Sequence, residues 1–199
     1  GRGDRPVTRG DRLRTDSKGG SLLGDYGRDL RGIILSPRRF FGEVFPGRTD
    51  RAARWFACLN GWLMVAIFFL LEVLTGGRVT WTLLLAVAMG AILAPFAMPI
   101  LSALWAAFMG LTARLLGEEL DPRAARKTTD YATVGLLPLA LGYGWLAFLS
   151  LSVVVYQILG LERAQSCSRL KAVILAGFPF LLFLTLMGMA ALIFKTRVF

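Results

Sequence analysis

The sequence predicts an all-α fold, a polytopic bundle of five transmembrane helices, on three observations. Of 199 residues, 55% are hydrophobic, above the roughly 45 to 50% usual in soluble domains. The excess is concentrated: residues 1–54 are charged and glycine-rich, whereas residues 55–199 fall into long apolar runs parted by short polar stretches, the pattern of helices surrounded by hydrocarbon. The net charge of +10 comes from Lys and Arg gathered on alternate sides of those runs, as the positive-inside rule requires.

Three segments follow. Residues 1–32 form a basic Gly/Arg/Asp-rich arm with little to bury, expected to stay mobile unless a partner holds it. Residues 33–54 form an amphipathic interfacial segment in which Ser36 can cap a helix opened by Pro37. Helical spacing gathers Phe40, Phe41, Val44 and Phe45 on one side and leaves Arg38, Arg39 and Glu43 largely on the other. Such a helix either lies in the headgroup plane or packs as a short cap on the cytoplasmic end of the bundle. Arg38, Arg39, Phe40 and Phe41 are the candidates for lipid or partner contact.

Residues 55–199 form the transmembrane domain. The first span covers residues 55–74, enough at 1.5 Å per residue to cross a core of roughly 30 Å. After a turn at Gly76-Gly77-Arg78, residues 81–116 form a second run, too long for one upright crossing, that Pro95 and Pro99 should kink. Ala86, Gly90 and Ala94 recur every four residues, the small-residue pattern that lets helices approach closely. Residues 117–130 carry Glu118, Glu119, Asp121, Arg123, Arg126 and Lys127 and read as a solvated polar loop. Residues 131–161 read as two short helices hinged at Gly142-Tyr143-Gly144, with Gly142 and Gly144 as further packing candidates. A return along the cytoplasmic face leads to a last span over residues 170–194.

With the amino terminus in the cytoplasm, inside segments hold every Lys and Arg of the 23 except Arg78, Lys195 and Arg197. The rule fixes the orientation and is satisfied by four spans as well as five. Basic residues at that face meet anionic lipid headgroups, so membrane lipids are the expected partners of the charge and nucleic acid is not.

Three stretches resemble the Yip family of multi-span membrane proteins, first described as partners of Ypt/Rab GTPases and with many bacterial members. Ser36-Pro37-Arg38-Arg39-Phe40-Phe41 resembles its pre-membrane Pro then Phe-Phe element. Tyr131 through Pro138 is similar to its Tyr then Pro stretch, with Gly135 near where the proline often falls. Gly160-Leu161 followed by Ser168-Arg169-Leu170-Lys171-Ala172 resembles its passage into the last helix. The resemblance covers residues 36–175 and implies five spans, a cytoplasmic amino terminus and no catalytic residues. The trafficking role belongs to eukaryotic members, whose aspartate-leucine-tyrosine-glycine-proline element this arm lacks.

Chemistry is sparse. The chain has no histidine and two distant cysteines, Cys58 and Cys167, so no metal site and no cofactor are expected. No phosphate-cradling glycine loop or nucleophile elbow occurs, and an enzyme is not expected. The leading expectation is a non-enzymatic membrane scaffold or adaptor of the Yip type in a bacterial cytoplasmic membrane, acting through protein and lipid contacts. The alternatives are an accessory subunit of a larger membrane complex whose cofactors lie in other chains, and a transporter or channel. The last would need polar groups within the spans, for which Glu72, Gln157, Asn60 and the intramembrane Ser and Thr residues are the candidates.

Overall fold

A computed structural model describes residues 21–76, 79–141, 151–164 and 167–197, and all the regular structure among them is helical. The chain divides into two compact units, Gly1–Gly47 and Arg48–Phe199. The predicted interfacial segment over residues 33–54 is thus shared between them.

In the first unit, the last part of the predicted mobile arm is a helix, α1 (Leu22–Leu35). Two local causes account for it. Ser21 Oγ accepts the Gly24 N–H at 3.1 Å, satisfying an orphan donor of the first turn. Tyr26, Leu30 and Ile33 also recur at helical spacing, with Ile33 wholly buried. Next comes the short α2 (Pro37–Arg39), opened by Pro37 at its first turn; Ser36 precedes it, but its side chain makes no capping bond. The single amphipathic helix expected there is instead α2, a π-helical turn (Phe40–Val44) and a 3₁₀ turn (Phe45–Gly47). That winding turns Phe40, Phe41 and Phe45 inward, with the Phe41 ring 5.3 Å from Phe40 and 5.5 Å from Phe45.

The second unit begins with α3 (Asp50–Leu74), which starts ahead of the predicted residue 55 because Thr49 Oγ1 accepts the Ala52 N–H at 3.2 Å. α4 (Trp81–Leu115) is likewise capped by Thr80, on the Leu83 N–H. These two helices are long and apolar enough to cross a membrane. α4 ends on Gly117 at φ 69°, which lets Glu118 N–H reach back to the Ala113 carbonyl at 2.9 Å and closes the helix. The predicted solvated loop is then mostly a helix, α5 (Pro122–Ala132), started by Asp121 on the Arg123 N–H and by Pro122 at its first turn. A 3₁₀ stretch (Thr133–Leu141), α6 (Ser152–Ala164) and α7 (Arg169–Arg197) complete the unit. The expected hinge at Gly142 and Gly144 lies outside the described residues.

α3 and α4 run antiparallel and cross closely. A Cβ on Gly61 would stand 2.7 Å from the Ala94 carbonyl oxygen, and one on Gly90 3.2 Å from Val65. Gly90 and Ala94 of the predicted seam therefore serve packing within the chain, while Ala86 stays exposed. Pro95 has no N–H to give the Ala91 carbonyl four residues back. Trp62 supplies the missing donor, its indole Nε1 lying 2.7 Å from Ala91 O. Farther along, α4 to α7 meet through small side chains, with Ala106, Ala113, Ala125, Ala172 and Ala176 packed around Met109, Leu161 and Leu175.

Candidate functional site

Where α3, α4 and α5 converge, the core is polar. Asp130 on α5 is 1% exposed, and its carboxylate accepts a hydrogen bond from the Ser102 hydroxyl of α4. The same hydroxyl lies 3.1 Å from the Pro99 carbonyl. Asn60 of α3 donates from Nδ2 to Thr133 Oγ1 at 2.8 Å, and Thr133 in turn donates to the Asp130 carbonyl at 2.6 Å. Asn60, Ser102 and Thr133 are all buried. α3 and α4 are thereby fastened to the last turn of α5 and the residue beyond it. Such bonds matter where the alternative is an unpaired polar group in an apolar surrounding.

Asp130 is the titratable member. Burial pushes its carboxyl up to about 6; the Ser102 hydrogen bond and the charges of Arg126 and Arg54 pull down, and Asp50 adds to the rise. Loss of solvent is the dominant cause, since it disfavours the charged form of a carboxyl. Burial thus holds this carboxyl above the usual carboxylate range, against the pull of the Ser102 hydrogen bond. Among the described residues, no three His, Cys, Asp or Glu side chains gather as a metal site would need.

A second layer lies toward α6. Trp105 Nε1 donates to Gln157 Oε1 at 3.1 Å, and Gln157 is 1% exposed. One turn on, Gly160 lets α6 close onto α5: a Cβ there would collide with the Thr128 methyl and stand 3.0 Å from its hydroxyl oxygen. Gly135 has the same role against the start of α6, where a Cβ would come 2.5 Å from the Val153 nitrogen.

The positions singled out in the sequence fall into different places. Asn60 and Gln157 are both in the buried layers just described, whereas Glu72 is half-buried near the far end of α3. Tyr131 is fully buried, its ring 4.8 Å from Phe56; Pro138 lies in the 3₁₀ stretch; Gly160 is the close contact on α5; Ser168 precedes α7 and accepts the Ala172 N–H on its carbonyl at 3.0 Å. Pro37, Arg38 and Arg39 belong to the first unit. Arg38 and Arg39 are exposed, Arg39 pairing with Glu43 at 3.1 Å, while Phe40 and Phe41 are covered and present no surface. Of the acidic trio, Glu118 binds Lys171 at 2.5 Å and Asp121 caps α5.

Asp130 and Gly61 are not among the residues the sequence singles out, and Ser102 and Thr133 enter only among the intramembrane Ser and Thr residues. A signal for Asp130 exists in Asp121-Pro122, a helix start, followed by Ala125, Thr128, Thr129 and Ala132, small residues at helical spacing that imply a buried face.

Fold and site together define an all-helical protein in which two membrane-length helices are fastened at one end by buried side-chain hydrogen bonds. Comparison with protein-family models, with curated proteins and with solved structures returns no match for this chain.

Proposed function

We propose that this chain is a non-enzymatic integral membrane scaffold or adaptor, of the Yip type its motifs resemble, acting through protein and lipid contacts. It has five spans, with the amino terminus and the turn between α4 and α5 in the cytoplasm of a bacterial cell. The observation that carries the reading is the surface of α4. Only 6% of its most apolar window is buried, and Leu85, Ile92, Leu93, Phe96, Ile100 and Leu104 stand exposed along it. Each such side chain gains about 1.5 to 3 kcal/mol on leaving water, and a continuous apolar flank of this length exceeds what soluble monomers display. Hydrocarbon or a neighbouring membrane helix must cover it.

Within α3 no acidic or basic residue falls between Arg54 and Glu72, and within α4 none precedes Arg114. The polar groups are instead gathered at one end, where they hold helices together, which favours a fixed framework over a conduit.

Two measurements test this. The chain should resist alkaline extraction from membranes and need detergent to stay dispersed; a monomer soluble without detergent or lipid overturns the membrane reading. Purified in mild detergent, it should bring a defined protein at fixed ratio, released by Phe96→Ala with Ile100→Ala. A monodisperse single species overturns the adaptor reading.

A further inference from the structure

α1 turns apolar side chains in two directions. Tyr26 and Ile33 face inward, and Ile33 is wholly buried. At about 100° per residue, Leu23, Gly27 and Ile34 line up roughly a third of a turn away from that face. Leu23 is 70% exposed, Ile34 53% and Leu35, at the end of the helix, 66%. A Cβ on Gly27 would meet nothing within 4 Å, so the middle of the stripe is open as well. Arg31 falls between Ile34 and Leu35 around the helix and is exposed, as is Arg38 just beyond it. The acids of this stretch are taken up elsewhere: Asp25 pairs with Arg28, Glu43 pairs with Arg39, and Asp29 is buried. Arg31 and Arg38 enter no ion pair among the described residues.

On these grounds we infer that the Leu23, Gly27 and Ile34 face of α1 docks on an anionic phospholipid surface, its aliphatic side chains entering the edge of the hydrocarbon and Arg31 and Arg38 meeting the phosphates. The inference rests on the membrane reading above and deepens it, because it moves the lipid contact from Phe40 and Phe41, which are covered, to α1. Two observations select this occupant. Exposed aliphatic side chains beside unpaired arginines are the make-up of a helix that lies in the headgroup plane, where the first enter hydrocarbon and the second attract anionic lipid. In addition, only Arg48 and Thr49 stand between Gly47, where this unit ends, and Asp50, where the membrane-length α3 begins. That is about 10 Å of chain, a tether that keeps a lipid surface at high effective concentration beside α1. A protein partner could cover the aliphatic stripe, but it would have to bring acids to both arginines, which anionic headgroups supply everywhere along the surface.

The test is spin-label spectroscopy of the full chain in nanodiscs of phosphatidylcholine with a minor share of phosphatidylglycerol, and in discs of phosphatidylcholine alone. Cys58→Ser and Cys167→Ser clear the background, and a nitroxide is placed on Leu23→Cys, on Ile34→Cys or, as a reference in the bilayer, on Leu70→Cys of α3, a position 55% exposed. In the anionic discs the two α1 labels should collide with oxygen several-fold more than with a water-soluble nickel chelate, and rising salt or loss of the phosphatidylglycerol should reverse that order. Arg31→Gln and Arg38→Gln should each shift the docked-to-free ratio about fivefold, the scale of one basic side chain at an anionic surface. Gly27→Glu puts a carboxylate into open space on the same face, so it should free both labels while the thermal melt is unchanged, separating lost docking from lost folding. Dominant nickel access in the anionic discs, equal insertion in the neutral ones, or suppression of both collision rates, as under a protein partner or a second copy, overturns the docking and leaves the membrane reading standing. Dominant nickel access at the Leu70→Cys label overturns both.

Discussion

The two halves of the α3–α4 pair are built from the same kind of residue and behave differently. Every buried residue of α3 lies between Ala53 and Gly61, and every buried residue of α4 between Met98 and Ala113. In the other half, Phe68, Leu70, Val73 and Leu74 of α3 and Leu84, Leu85, Met89 and Leu93 of α4 are all exposed. Apolar content is therefore not what decides which half is packed. The packed half has glycine and alanine where backbones approach, and Asn60, Ser102 and Asp130 where they are tied. In hydrocarbon this is expected, since burying a leucine against another helix gains little over leaving it in lipid, and close contact and hydrogen bonds do the selecting.

The most damaging change should be Gly61→Val. Its side chain is aimed at the Ala94 carbonyl, a backbone group that cannot turn aside, and overpacking of this kind costs about 3 kcal/mol. Reversible unfolding in mild detergent should show the loss, and a stability within about 0.5 kcal/mol of wild type would mean that the helices do not cross there.

Second in size is the response to pH. The Asp130 carboxyl titrates near 6 when folded and near 3.9 when unfolded, so the folded chain binds the extra proton between those values. Stability should fall as pH rises through that window, and the cost is fully present above about pH 6. The charges that bear on it are Arg126 from its own helix and Arg54 and Asp50 from α3, with Ser102 as the neutral partner from α4. Asp130→Asn keeps an oxygen for Ser102 and cannot ionise. It should be more stable than wild type above pH 6, by on the order of 2 to 3 kcal/mol, and should flatten the profile between pH 4 and 6. An unchanged slope in that variant would assign the titration to another group.

Gly61 and Asp130 also mark what the sequence discloses and what it withholds. The helices themselves are legible, because runs such as residues 55–74 and 81–116 admit no other regular structure at that length and polarity. Gly90 and Ala94 are legible as a close-packing face, but nothing in the sequence says that the partner is α3 of the same chain, because spacing specifies a face and not what meets it. Residues 117–130 mislead for a physical reason. Charge density suggests solvent, yet on a helix begun by Asp121 and Pro122 those charges point one way and Ala125, Thr128, Thr129 and Ala132 the other. Asp130 is hidden by the same average. Ser21 and Ile33 similarly show that a glycine-rich basic composition does not prevent one well-capped helix.

A smaller effect separates two uses of tryptophan on α3. Trp62 donates to the carbonyl that Pro95 leaves unpaired, whereas Trp55, nearer the start of the helix, is 39% exposed. Trp62→Phe keeps most of the ring and removes the donor, so it should cost about 1 kcal/mol. Adding Pro95→Ala in that background should recover most of the loss, because an alanine in place of the proline returns a helical N–H to the Ala91 carbonyl. A double mutant no better than Trp62→Phe alone would show that the indole contributes by packing instead of by repairing the proline.

The least effect is expected at Leu85, and its size bears on the whole comparison. In a soluble protein an exposed leucine on an ordered helix gains nothing from its environment, and Leu85→Ala would improve helix propensity slightly. In a bilayer the side chain is solvated by hydrocarbon in the folded and the membrane-inserted unfolded state alike, so the same substitution should change stability by less than about 0.5 kcal/mol. Leu85 is 65% exposed, so a loss of about 2 kcal/mol or more on Leu85→Ala would require a neighbour pressed against it in the assembled protein. That neighbour would then be a second copy or a partner helix, distinguished by whether the loss disappears on dilution of the chain in detergent.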